Sequence, residues 1–168
     1  MRTFALSFCA TAALLGLTVD SGSAAVSSAD RTFAEKAASG GLAEIQAAQL
    51  AQQRASSPRV KQFASRMITD HTKANDELQQ IAEEEDITLP AQPDQQGMAA
   101  QRKLQALNGT AFDQSYAQQQ LGDHQQAIAL FRKEATSGQD PALKSYAQKT
   151  LPILQQHLQL AQSLRSVR

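Results

Sequence analysis

Four long stretches of the chain carry apolar residues at steps of three and four, the spacing that places them on one face of an α-helix. The junctions between them hold helix signals. Ser57-Pro58 and Asp140-Pro141 each pair a capping residue with a proline suited to the first helical position. Because no segment alternates apolar and polar residues as a half-buried strand does, the pattern predicts an all-α protein.

The predicted helices differ in how they are connected. The connections near 55–57 and 137–140 are so short that the helices they join must be antiparallel neighbours. The connection between the second and third long helices is a long crossover that contains a short helix. The sequence therefore predicts a ferritin-like four-helix bundle made of two antiparallel hairpins. The predicted helices cover 28–54, 58–85, 98–107, 110–136 and 141–164.

Residues 1–25 have the build of a secretory signal peptide. Arg2 precedes an apolar run over Phe4–Val19, and Ser23 and Ala25 supply small residues at the −3 and −1 positions of a cleavage site. The run is short for a membrane span and is followed by small rather than basic residues. We therefore expect a mature single domain over 26–168 that is periplasmic or associated with the outer membrane.

The charge balance excludes one class of partner. Sixteen Lys and Arg face sixteen Asp and Glu, so the chain lacks the excess of positive charge that phosphate contacts need, and we expect no nucleic-acid binding. The single cysteine, Cys9, falls in the predicted signal peptide, so we expect no thiol chemistry in the mature protein. No later apolar run is long enough to predict an integral membrane segment.

Histidine occurs three times, once on the apolar stripe of each of three predicted helices: His71, His124 and His157. The remaining long helix contributes Glu44 on its own stripe. Counting from the helix connections places all four side chains near the middle of the bundle. Burial of such groups is unfavourable unless they compensate one another. Two arrangements do so: a closed hydrogen-bond network, or one transition-metal ion (Zn, Fe, Cu or Ni) held by imidazole nitrogens and a carboxylate.

Four further residues are candidates for supporting this centre. Asp70 and Asp123 each precede a histidine and lie at the edge of the inner face, where they either orient the imidazoles or remain solvated surface charges. Gln120 and Tyr116 share the apolar stripe of His124, so we expect them in or near the polar core.

The pattern differs from that of a di-iron bundle. Such bundles use a Glu-x-x-His motif on two helices and a further Glu on each of the other two. The residues three before each histidine are instead Ile68, Leu121 and Leu154. With so few carboxylates, a ferroxidase-type centre is not expected.

Several segments resemble a known family. They are 63–71 (FASRMITDH), 112–116 (FDQSY), 123–125 (DHQ) and 151–158 (LPILQQHL). Together they resemble the exported bacterial proteins grouped as domain of unknown function 4142, which are similar to the ferritin-like superfamily. The resemblance covers nearly the whole mature chain and implies a helical bundle and export. It implies no established activity, substrate or metal.

Three functions fit these observations. The leading hypothesis is an exported, non-enzymatic binding or stress-associated protein whose His/Glu centre takes one metal ion. The second is a metal-dependent redox or hydrolytic enzyme that uses the same centre. The third is a structural envelope protein whose polar centre fixes only the helix register.

Overall fold

The computed structural model describes residues 25–164, and within this range it contains five α-helices and no strand. Four long helices form the bundle, and the short third helix lies in the crossover. The predicted signal peptide lies outside the described residues except for Ala25. Within 25–164, no helix combines the length and apolarity that crossing a bilayer requires. The helices are α1 (Ser28–Arg54), α2 (Pro58–Glu84), α3 (Gln95–Gln105), α4 (Gly109–Ser137) and α5 (Pro141–Leu164).

The helix directions follow from contacts at the two ends of the bundle. At one end, Arg54 of α1 donates a hydrogen bond of 3.0 Å to the side chain of Asn108, immediately before α4. At the other end, Asp30 near the start of α1 accepts a hydrogen bond of 2.8 Å from the backbone of Asp140, immediately before α5. Helix α4 therefore starts at the end where α2 starts and runs parallel to it. The two hairpins joined by a crossover confirm the predicted four-helix bundle.

Most helix boundaries follow the local sequence signals. Ser57 and Asp140 cap α2 and α5, accepting hydrogen bonds from the third residue beyond each. Helix α3 begins at Gln95, earlier than the predicted 98, because Asp94 caps it by accepting a hydrogen bond of 2.8 Å from the backbone of Gly97. With this cap, Gly97 lies in the first turn of α3, whereas the sequence pattern predicts it in the connection before that helix.

The start of α4 differs from expectation. Spacing suggests a capping box between Thr110 and Asp113, but the cap residue is Asn108, and it makes no side-chain capping bond. The carboxylate of Asp113 instead accepts hydrogen bonds from both backbone amides of Ser56 and Ser57 and from the Ser56 hydroxyl, at 2.5–3.2 Å. Because these partners lie on the α1–α2 turn, local spacing could not identify them.

The apolar core is divided into two clusters with the polar centre between them. One cluster lies towards the α1–α2 turn and includes Phe63 and Phe112. The other lies towards the α4–α5 turn and includes Phe33, Phe131 and Leu143. Each cluster contains residues from all four long helices. Apolar packing on both sides therefore fixes the position of the polar centre along the bundle axis.

Adjacent glycines in α1 have different surroundings. A Cβ at Gly41 would overlap the side chain of Asn75 on α2, whereas a Cβ at Gly40 would meet open space. Two adjacent glycines inside a helix indicate either a bend or a close approach by a neighbouring helix, and Gly41 shows the close approach.

We expect Gly41→Ala and Gly40→Ala to change stability in opposite directions. Gly41→Ala should lower the free energy of unfolding by about 1–2 kcal/mol because it overpacks the α1–α2 contact. Gly40→Ala should raise it by about 0.5–1 kcal/mol through helix propensity. Urea denaturation of the two variants measures both effects. Equal changes in the two would contradict this account.

Candidate metal centre

Three histidines from three helices meet at mid-bundle. The ring centroids of His71, His124 and His157 are separated by 5.3–5.8 Å. Each offers a potential ligand atom, and these atoms lie within 4.8 Å of one another. The side chains are nearly inaccessible, with exposed fractions of 8, 1 and 1% respectively. We call these three residues the histidine triad.

Hydrogen bonds fix the tautomers of two rings of the triad. The Nδ1 of His124 lies 2.9 Å from the backbone carbonyl of Gln120, and the Nε2 of His157 lies 2.8 Å from a carboxylate oxygen of Asp70. Carbonyl and carboxylate oxygens accept, so these two nitrogens carry the protons. The opposite nitrogens, His124 Nε2 and His157 Nδ1, therefore hold lone pairs.

Three of the four other ring nitrogens of the triad lack hydrogen-bond partners among the described residues. His71 Nε2, His124 Nε2 and His157 Nδ1 are buried and have no hydrogen-bond partner within residues 25–164. Buried polar atoms of native proteins normally have a hydrogen-bond partner or a ligand, so three such nitrogens in one cluster form a candidate ligand set. One transition-metal ion would satisfy all three.

The environment keeps the imidazoles neutral, the form that binds metals. Burial lowers the pKa of His71 well below its usual value, and the nearby His124 and His157 lower it further. Burial together with His157 lowers the pKa of His124 to about 4. Burial also lowers the pKa of His157, although Asp70 partly opposes this shift. No proton therefore has to leave the triad before a metal binds near neutral pH.

The dimensions of the triad suit a metal after a small contraction. Metal–imidazole bonds of about 2.0–2.1 Å require ligand nitrogens about 3.3–3.6 Å apart. The ligand atoms lie within 4.8 Å of one another, so side-chain movements of roughly 1 Å complete the site. Three imidazoles would supply three of the four ligands of a tetrahedral ion.

Glu44 lies beside the triad, on the Nδ1 side of the His124 ring. Its carboxyl oxygen is 3.7 Å from Nδ1 of His124, the protonated nitrogen, and its other oxygen accepts from the side chain of Gln120. Burial, reinforced by Asp123, raises the pKa of Glu44 to about 8. Near neutral pH the Glu44–His124 contact is therefore between uncharged groups and is not an ion pair.

The other predicted supporting residues occupy different positions. Gln120 is fully buried, and its side-chain carbonyl has no partner within 25–164. Tyr116 is also fully buried, and burial together with Glu44 raises its pKa well above the usual value. Asp123 is half-buried, and burial raises its pKa. Asp70 contacts His157 of α5 rather than its sequence neighbour His71.

Two contributions to the site were not predicted. The backbone carbonyl of Gln120 orients His124, whereas the sequence pattern indicates a role only for the Gln120 side chain. Arg66 lies 3.5 Å from Asp70 and pairs with it. The spacing of four between Arg66 and Asp70 is that of a helical ion pair and could have indicated this contact.

Comparison with solved structures supports the fold. CopM in the Cu(II)-bound form aligns with a TM-score of 0.69 and 18% identity, covering 81% of this chain and 95% of that chain. CopM in the Ag-bound form aligns with a TM-score of 0.63 and 21% identity, covering 80% of this chain and 93% of that chain. No curated protein matches the sequence significantly.

The family assignment rests on the sequence itself. The profile described as Domain of unknown function (DUF4142) matches residues 17–164, which include all five helices and the histidine triad. The same family was indicated by the motifs around His71, His124 and His157. The chain therefore belongs to the DUF4142 family.

Proposed function

We propose that this protein is an exported, non-enzymatic metal-binding protein that holds one transition-metal ion on His71, His124 and His157. The observation that carries the proposal is a set of three buried ring nitrogens in one triad that have no hydrogen-bond partner among residues 25–164. A purely structural network would use those lone pairs in hydrogen bonds, because an unsatisfied buried polar atom costs about 1–3 kcal/mol.

Copper is the metal we propose. Among divalent first-row metals, nitrogen sites generally bind Cu²⁺ most tightly. The two similar structures are Cu(II)- and Ag-bound forms of CopM, which is consistent with a metal-holding bundle of this shape. Neutral imidazoles have no proton to lose when the ion binds, which favours metal binding near neutral pH.

Export is part of the proposal. We infer that residues 1–25 are removed, which places Val26 at the start of the mature chain. The intact mass of protein recovered from the periplasm measures this. A chain that begins at Met1 would contradict it.

A copper titration tests the proposed function. Untagged protein, stripped with a chelator, should bind one Cu²⁺ per chain and keep it through gel filtration. At free Cu²⁺ about 100 times the dissociation constant, binding should add about 2.7 kcal/mol to the free energy of unfolding. His124→Ala should retain no copper. If this variant still bound one ion, or if the parent protein retained none, the proposal would fail.

A further inference from the structure

Two buried carboxyl groups from different helices meet at the α4–α5 turn. Asp30 lies near the start of α1 and Glu134 lies in the last turn of α4, and their side chains are within hydrogen-bonding distance. The two residues are only 1 and 5% exposed. The apolar cluster that includes Phe33 and Phe131 separates them from the histidine triad, so they take no part in the proposed metal site.

Both oxygens of Asp30 already accept hydrogen bonds from the turn. The backbone amide of Asp140 donates to one of them at 2.8 Å, and the amide of Gln139 lies 3.2 Å from each. The amides supply the protons of these bonds, so the Asp30 carboxylate needs none of its own. The bonds tie the start of α1 to the start of α5.

The carboxyl group of Glu134 has no comparable donor. Its Oε1 is buried and has no hydrogen-bond partner within residues 25–164. A Cβ at Gly138 would overlap this oxygen, so the carboxyl group is packed against the turn. Two ionised carboxylates can only accept hydrogen bonds and they repel each other, so a bond from Glu134 to Asp30 requires a proton on Glu134.

The groups around Glu134 favour that proton. Burial, followed by Asp30 and Asp140, raises the pKa of Glu134 to about 7, and Lys133 on the same helix partly opposes this shift. Lys144 of α5 is directed elsewhere, because its Nζ donates to the backbone carbonyl of residue 136 at 3.3 Å. Glu134 therefore changes charge near neutral pH, in a place where the new charge faces Asp30.

We propose that Glu134 and Asp30 form a pH-sensitive latch, in which protonated Glu134 donates a hydrogen bond to the Asp30 carboxylate and keeps this end of the bundle closed. When the proton leaves to water, two carboxylates face each other in a buried position, and the start of α1 separates more readily from the α4–α5 turn. The folded chain holds this proton more tightly than the unfolded chain does. The stabilisation is therefore complete below about pH 4.5 and is lost as the pH rises through about 7.

Thermal unfolding at about pH 6 and about pH 8, in a chelator that keeps the triad free of metal, tests the latch. Glu134→Gln keeps the shape of the side chain and carries a neutral N–H donor at both pH values. Between the two pH values, the midpoint of the parent chain should fall by roughly 3–6 °C more than that of Glu134→Gln. Other titrating groups, such as Glu44, are common to both chains and cancel in this comparison. Equal falls in the two chains would overturn the latch.

Glu84→Gln is the matched control. Glu84 lies in the last turn of α2, at the same end of the bundle, and is exposed. Its substitution removes the same charge from an equivalent helix end and should leave the fall of the parent chain unchanged. If Glu84→Gln reduced this fall as much as Glu134→Gln, general electrostatics would explain the result and the latch would be refuted.

Hydrogen exchange shows where the chain opens. After correction for the intrinsic exchange rate, protection of the Gln139 and Asp140 amides should fall about tenfold between about pH 6 and about pH 8 in the parent chain, but not in Glu134→Gln. Unchanged protection in the parent chain would contradict the proposal. So would recovery of this protection at the higher pH on addition of millimolar Ca²⁺, because the two carboxylates would then bind a cation rather than share a proton.

Discussion

Replacing His71 by Leu is expected to abolish copper binding while making the apoprotein at least as stable as the parent chain. His71 is 8% exposed, and its Nε2 has no hydrogen-bond partner within 25–164. Leucine removes this buried polar atom and fills a similar volume. We therefore expect the free energy of unfolding of the apoprotein to rise by about 1–2 kcal/mol. The ion would lose one of three ligands, and retained copper should fall from one to none per chain.

Two measurements on His71→Leu distinguish a metal ligand from a residue that belongs only to a hydrogen-bond network. Copper content after gel filtration measures binding, and urea denaturation of the stripped protein measures stability. Leu78→Met serves as the control, because Leu78 is fully buried on the same helix and the swap conserves volume. That control should keep its copper. Loss of more than about 2 kcal/mol by His71→Leu with unchanged copper would show a hydrogen-bond network instead.

Replacing the buried Asp113 by Ala should cost far more stability than removing an exposed carboxylate from the same bundle. Its carboxylate satisfies two backbone amides and one hydroxyl of the α1–α2 turn, across 56 or 57 residues of sequence. Hydrogen bonds to charged groups contribute about 1.5–3 kcal/mol each, and their losses are not additive at one site. We expect a loss of about 3 kcal/mol, which corresponds to a fall of roughly 6–12 °C in the thermal midpoint.

Two further variants show whether the loss in Asp113→Ala comes from its hydrogen bonds or only from its charge. Asp113→Asn keeps one acceptor oxygen and should lose about half as much stability. Asp76→Ala removes the same charge from an exposed position of α2 and should change the free energy of unfolding by less than about 0.5 kcal/mol. Calorimetry of the three variants measures the series. An Asp113→Ala loss no larger than that of Asp76→Ala would contradict the anchoring role.

The sequence predicted the bundle well because its helix signals are local. Ser57-Pro58 and Asp140-Pro141 start α2 and α5 where the sequence places them, since capping depends on residues three apart. The largest boundary difference is at α3, where Asp94 rather than a later residue provides the cap. The approach of His71, His124 and His157 was also predictable, because one histidine per apolar stripe at similar depth leaves few other arrangements.

Side-chain contacts between different helices were not predictable in the same way. Successive helical residues are about 100° apart around the axis, so small rotations decide which side chains meet. Asp70 reaches His157 on α5 instead of orienting its neighbour His71, and Asp113 reaches the α1–α2 turn instead of closing its own helix start. Glu44 was predicted on the inner face and is buried there, but it lies beside the protonated nitrogen of His124.

Anomalous diffraction from crystals of the copper-loaded protein tests the central claim most directly. The account predicts one strong copper peak per chain, about 2.0–2.1 Å from Nε2 of His71, Nε2 of His124 and Nδ1 of His157. Data collected on both sides of the copper absorption edge identify the element. A peak coordinated by other residues, or a water molecule bridging the three nitrogens with no copper peak, would contradict the account.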